Sequence, residues 1–191
     1  MPERAPPPAD LSGLSLDAIA AIAAGQAAPP VAGWNPASCG HSGMRIAADG
    51  RWFHEGRPIE RPALVRLFAS VLRREADGSY ALVTPAEKLT IAVDDLPFVA
   101  VEASSDGAGC DRRIAFRLSI GTVVTCDAAH PIRVTGDGSS PRPELVVRPG
   151  LAARIGRAAW LHLAELALAE DDGEPALWSG GARFSLMPAA A

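Results

Sequence analysis

Apolar residues along this chain recur at two spacings, and the switches between them mark its elements. Residues 1–13, rich in Pro and Ala without a period, read as a loose tail that buries too little apolar area to offset ordering. Leu16, Ile19, Ile22 and Ala23 then follow a helical period. Ser15 is placed to cap the first turn, and Gly25 to end the helix ahead of Pro29-Pro30. From Trp34 the period shortens toward two. Met44 to Ala47 and Arg51 to His54 read as strands joined by Asp49-Gly50, a dipeptide that accepts the positive φ of a tight turn. Pro62 to Arg74 returns to helical spacing, with proline in the first turn and Leu64, Val65, Leu67, Phe68, Val71 and Leu72 as its apolar stripe. Tyr80 to Thr84, Glu87 to Val93 and Phe98 to Ala103 follow as strands, interrupted by Pro85 and by Asp94-Asp95-Leu96-Pro97.

The second half continues in short strands over Ile114 to Ile120, Thr122 to Cys126, Pro131 to Val134 and Glu144 to Arg148. A second helix is expected from Ala152 to Ala169, with Ile155, Ala159, Leu163 and Leu166 on one face. Its acidic end, Glu170-Asp171-Asp172, opposes the helix macrodipole. Trp178 to Leu186 reads as a final strand or extended segment. The fold class expected is α+β: a tail and helix over 1–33, then two related units over 34–97 and 98–191. Each unit packs short antiparallel strands on one amphipathic helix.

Composition narrows the function classes. The 191 residues carry 18 Lys and Arg against 22 Asp and Glu, a net charge of −4 that lacks the broad positive field needed to hold duplex nucleic acid. With 18 Gly and 17 Pro, turns and short elements are expected. Three widely spaced cysteines, Cys39, Cys110 and Cys126, fit reduced thiols and a cytoplasmic location better than a disulfide framework. Ala18 to Ala24 faintly resembles a signal-peptide core, but Asp17 precedes it and Met1-Pro2-Glu3-Arg4 has no net positive charge. The apolar runs fall short of the roughly 18 residues of a membrane span, so no membrane role is expected.

Catalytic and metal motifs are weak. Cys39-Gly40-His41 lacks a second ligand pair, so no metal and no cofactor are expected. Gly136-Asp137-Gly138-Ser139-Ser140 lacks a following lysine and helix, and reads as a hairpin loop rather than a phosphate cradle. No Gly-x-Ser-x-Gly elbow occurs, and His41, His54, His130 and His162 are scattered. The arginines carry more promise. Arg45, Arg61, Arg74, Arg133, Arg148, Arg154 and Arg157 sit at element ends or beside turns, where a planar five-donor fork suits phosphate or carboxylate. Lys88, beside Glu87 after Pro85, and His130, before Pro131, are further candidates.

Several motifs recur in one order. Trp34-Asn35-Pro36, Cys39-Gly40, Met44-Arg45-Ile46 and Asp49-Gly50-Arg51-Trp52-Phe53 lead into Leu64-Val65, Leu67-Phe68, Val71-Leu72-Arg73-Arg74-Glu75, Asp77-Gly78 and Leu82-Val83-Thr84-Pro85. His130-Pro131, Val147-Arg148, Gly150-Leu151 and Trp178-Ser179-Gly180 follow. Over about residues 34 to 187 the chain resembles the bacterial family catalogued as "domain of unknown function 1285". It departs at Ser119-Ile120, where the family carries a Thr-Asn pair. The resemblance implies a duplicated two-unit core, a second unit superficially like a pleckstrin-homology domain, and a ligand site where the units meet. It also implies a regulatory role with a nucleotide-like or nucleic-acid-derived ligand.

The function expected is therefore a ligand-binding or regulatory protein in signal transduction, more a binder than an enzyme. Its small anionic or nucleotide-like ligand would be held by Arg45, Arg61, Arg74, Lys88, His130, Arg133 and Arg148. The alternatives are an enzyme with a cryptic site at His130, Glu87 and Lys88, which requires those side chains to share one cleft, and a protein-interaction module using the Leu16 to Ala24 helix as docking element or lid. Ligand identity, partner and oligomeric state are not legible at this level.

Overall fold

The computed structural model describes residues 31–137, 139–170 and 173–188. The helix expected over Leu16 to Ala24 lies outside them. A single 3-10 turn at Val31–Gly33 leads into β1 (Ser38–Ile46), β2 (Trp52–His54) and β3 (Arg57–Pro58). Helix α1 (Pro62–Ser70) follows, then β4 (Leu72–Arg74), β5 (Tyr80–Val83) and β6 (Glu87–Val93). The second unit opens with β7 (Phe98–Asp106), β8 (Arg113–Leu118) and β9 (Val123–Thr125). It continues with β10 (Ile132–Asp137), β11 (Ser140–Arg148), β12 (Leu151–Ile155), helix α2 (Arg157–Glu170) and the hairpin β13 (Ala176–Ser179) and β14 (Ala182–Ser185).

Both units hold a six-stranded sheet, in the orders β3-β2-β1-β6-β5-β4 and β10-β11-β12-β7-β8-β9. The architecture is thus α+β, but the sheets are mixed rather than antiparallel throughout, because β1 pairs parallel with β6 and β12 with β7. In each sheet the first and last strands lie together at the centre, and two three-strand meanders flank that seam. The units differ in where the helix falls. α1 links β3 to β4, whereas the Asp127–His130 turn makes the matching link and α2 follows β12.

Two helix boundaries differ from the periodic reading. α1 stops at Ser70, not Arg74. The Val71 carbonyl accepts the Val83 N–H at 2.8 Å, and Leu72, 1% exposed, pairs with Leu82 as strand. Leu151–Ile155 is a strand rather than the start of α2. Its burial alternates, Gly156 donates to the Ala100 carbonyl at 2.9 Å, and a Cβ at Gly156 would stand 3.0 Å from that oxygen. Glycine permits that approach and so separates strand from helix.

One apolar cluster runs through both units, from Ile46, Trp52 and Leu72 to Phe116, Leu145 and Leu163. A smaller cluster of Val31, Ala81 and Val83, with Trp34 against it, covers part of the outer face of the first sheet. The three thiols divide the same way: Cys39 and Cys110 are exposed and Cys126 is buried. Burial pushes the Cys126 thiol up to about 12. In native protein at mildly alkaline pH, iodoacetamide is therefore expected to alkylate Cys39 and Cys110 and spare Cys126 until denaturant is added. Intact-mass spectrometry reads the count, and a third adduct on native protein would contradict this burial.

Candidate functional site

The sheet alternation decides which charges meet where the units join. In the second unit Ile132, Leu145 and Ala153 point inward. The next residues along, Arg133, Glu144 and Arg154, lie abreast on β10, β11 and β12 on the opposite face. Asp95, in the link between the units, accepts from Arg154 Nε and Nη2, both at 3.0 Å, and from Arg142 Nη2 at 2.6 Å. The Arg154 guanidinium leads in holding the Asp95 carboxyl below its usual range. From the first unit, β4 and β5 present Arg74 and Tyr80 as cross-strand partners, with the Arg74 guanidinium 5.8 Å from the ring centroid. Burial raises the Tyr80 hydroxyl, Arg74 opposes the rise, and Asp95 and Glu144 add to it.

Arg148, at the end of β11, crosses to the first unit. Its Nη2 donates to the Ala69 carbonyl at 2.5 Å and the Leu72 carbonyl at 2.9 Å, and its Nη1 to the Ser70 carbonyl at 3.4 Å. These acceptors lie at and just beyond the C-terminus of α1, so a side chain from the second unit caps a helix of the first. Burial lowers the Arg148 pKa. Beside it, Gly150 (φ 76°) packs on Arg74, whose Cβ lies 3.2 Å from where a Gly150 Cβ would stand. Among the described residues neither Arg74 nor Arg148 pairs with a carboxylate, whereas Arg45, Arg73, Arg112, Arg117, Arg142 and Arg154 all do.

The seven nominated residues therefore do not share one hollow. Arg74 and Arg148 flank the junction, and Arg133 lies on the Glu144–Arg154 face. Arg45 is bound to Asp94 at 2.9 Å and lies over Phe53. Lys88 alternates with Leu89 to the outer face of the first sheet and bonds Glu75 at 3.2 Å. Arg61 is the exposed N-cap residue of α1, its carbonyl accepting from Leu64 and Val65. His130 bonds Asp127 at 3.1 Å within its own turn. No hydrogen bond or ion pair joins any two of His130, Glu87 and Lys88. Glu87 instead lies in a turn held by Thr84, whose Oγ1 accepts the Glu87 N–H. The cluster required by a cryptic enzyme site does not form. Tyr80, Asp95 and Gly150, which shape the junction, escaped the sequence reading because each looked like an ordinary strand or turn residue.

Among the described residues no three His, Cys, Asp or Glu side chains are placed to hold a metal ion. No described helix is long and apolar enough to cross a membrane.

Two units, each a mixed six-stranded sheet with a helix, define an α+β protein of paired domains. The chain matches the N-terminal domain of the family described as domain of unknown function (DUF1285) over residues 29–96 and its C-terminal domain over residues 97–186, and it belongs to that family. It is similar to the crystal structure of a DUF1285 family protein from Silicibacter pomeroyi, with 44% identity over 84% of this chain and 88% of that one, at a TM-score of 0.75. A DUF1285 family protein from Shewanella baltica is 25% identical over 64% of this chain and 91% of that one, at a TM-score of 0.51. No protein of curated function matches.

Proposed function

We propose that this protein is a binding or regulatory module that holds a small anion, nucleotide-like in character, where its two units meet. Arg74 and Arg148 would be the principal donors and the Tyr80 ring a stacking surface. One observation carries the reading: Arg74, whose Cβ and Cδ pack beside Gly150, and Arg148, which precedes that turn, come from different units and have no carboxylate partner among the described residues, while Arg142 and Arg154 are bound to Asp95. An anion there would gain charge-assisted hydrogen bonds from a fork that is already positioned. Because each unit supplies one arginine, binding would favour the docked arrangement, which is how a ligand would be converted into a signal. The shared strand order supports reading the units as a duplication. Six strands followed by a helix support the likeness of the second unit to a pleckstrin-homology domain. A role in the cytoplasm agrees with the three free thiols.

Thermal-shift and calorimetric titration with pyrophosphate, AMP, GMP and cyclic nucleotides tests the proposal. A phosphorylated compound is expected to raise the melting temperature of the parent protein but not of Arg74→Ala. That side chain is exposed, so its loss leaves the fold intact. No response to any of these compounds, or an equal response in Arg74→Ala, would count against the site.

A further inference from the structure

The link between the units carries two adjacent acids, and each is bound to a different unit. Asp94 accepts from Arg45 Nε at 2.9 Å and Nη2 at 2.5 Å, and its own N–H donates to the Ile46 carbonyl at 3.0 Å, so it is fastened to the first unit. The backbone of the link is thereby held without help from Asp95. The Asp95 carboxylate turns to the second unit, where Arg154 of β12 and Arg142 of β11 converge on it. One negative charge serves two guanidinium groups. On the same face Arg133 stands beside Glu144, so three arginines face two acids and the patch keeps a positive excess.

Two further observations bear on what this fork can hold. Arg154 also donates from Nη1 to the Pro143 carbonyl at 3.3 Å, a bond that keeps its guanidinium in place when Asp95 leaves. The Arg142 side chain is 58% and the Asp95 side chain 21% exposed, so a dissolved anion reaches the carboxylate from the Arg142 side. A phosphate group brings three acceptor oxygens and nearly two negative charges. It therefore satisfies two planar donor forks better than a single carboxylate does. Attachment gives Asp95 the opposing advantage, because a tethered group acts at high effective concentration.

We propose that Arg142 and Arg154 form a second anion site, for a phosphate-class dianion, and that Asp95 is its built-in competitor. The site is separate from the Arg74 and Arg148 donors and stands without them. Its occupation turns the Asp95 side chain out of the fork while Asp94 keeps the link fastened to the first unit. The apparent affinity of the parent protein is lowered by the fraction of molecules in which Asp95 holds the fork.

Calorimetric titration of the full chain with inorganic pyrophosphate in low-salt buffer tests this. Asp95→Asn keeps the shape of the side chain and removes its charge, and is expected to bind pyrophosphate about tenfold more tightly than the parent. Adding Arg142→Ala is expected to abolish that gain, and adding Arg74→Ala to leave it. Equal affinity in the parent and Asp95→Asn overturns the proposal, as does a gain that survives Arg142→Ala in full. So does a gain that disappears with Arg74→Ala, which would place the bound anion at the Arg74 and Arg148 donors instead. Far-UV circular dichroism checks that each variant is folded. The parent supplies a measurement that needs no substitution: excess pyrophosphate is expected to shift the Arg154 Nε–H resonance, and an unmoved signal also overturns the proposal.

Discussion

Arg112→Ala, which removes a buried charge, is expected to lower the melting temperature by roughly 6–20 °C. Arg112 is 6% exposed and ties three places together. Its Nε and Nη2 donate to one Glu170 oxygen at the end of α2, at 3.1 and 2.5 Å, and its Nη1 to the Ser105 hydroxyl of β7 at 2.8 Å. The same Glu170 oxygen accepts the Gly109 N–H at 3.4 Å, so the carboxylate also holds the loop that carries Arg112. Glu170 is itself mostly buried, at 15% side-chain exposure. Removing the guanidinium strands that charge in a poorly solvated place, for a cost of about 3–5 kcal/mol. The asymmetry provides the check. Arg112→Leu with Glu170→Leu removes both charges and is expected to recover most of the loss. Thermal melts of the single and double variants measure the coupling, and a shift of Arg112→Ala inside the scatter of repeat melts would show that the pair does not anchor the helix.

Gly50→Val is expected to destabilise the protein by about 2–5 kcal/mol, acting at the contact between units rather than within one. Gly50 sits at φ 83° in the turn between β1 and β2, where a β-branched residue is strongly disfavoured. Gly50 itself is also buried. A Cβ there would stand 2.8 Å from Ser119 Oγ and 3.2 Å from Val99 Cγ2, both on the second unit. Strain and overlap therefore add. Because one apolar cluster runs through both units, the parent should unfold in urea in a single transition. The valine protein should show a lower midpoint, with the two units beginning to unfold separately. Gly56→Val supplies the comparison, since Gly56 has a similar φ of 78° but open space around it, and it should lose only the backbone component. Equal losses at the two glycines would mean that the turn does not bear on the second unit.

Gly50 also shows where reading from residues alone stops. The Asp49-Gly50 pair is legible as a positive-φ turn because that requirement is local to two residues. That the turn presses into the second unit is a property of residues about fifty and seventy positions away. The site follows the same division. Arginines at element ends could be marked as anion donors, but alternation of the strands, which a short sequence window constrains only when both boundaries are right, sent Lys88 and Arg45 to the outer face of the first sheet. Placing Arg154 in a helix obscured its position abreast of Glu144 and its bond to Asp95.

By itself the sequence determined the α+β class, the glycine turns, most strands and the apolar positions of the core, because periodicity, proline and positive φ act over a few residues. Tertiary structure decided where α1 ends, since its last carbonyls are capped by Arg148 more than seventy residues away. It also decided that the central strands pair in parallel and that, among the described residues, Arg74 and Arg148 stand beside the Pro149-Gly150 turn with no carboxylate partner while Arg142 and Arg154 bind Asp95. Those outcomes depend on free energies shared between distant segments, and no local pattern encodes a partner that only folding brings near.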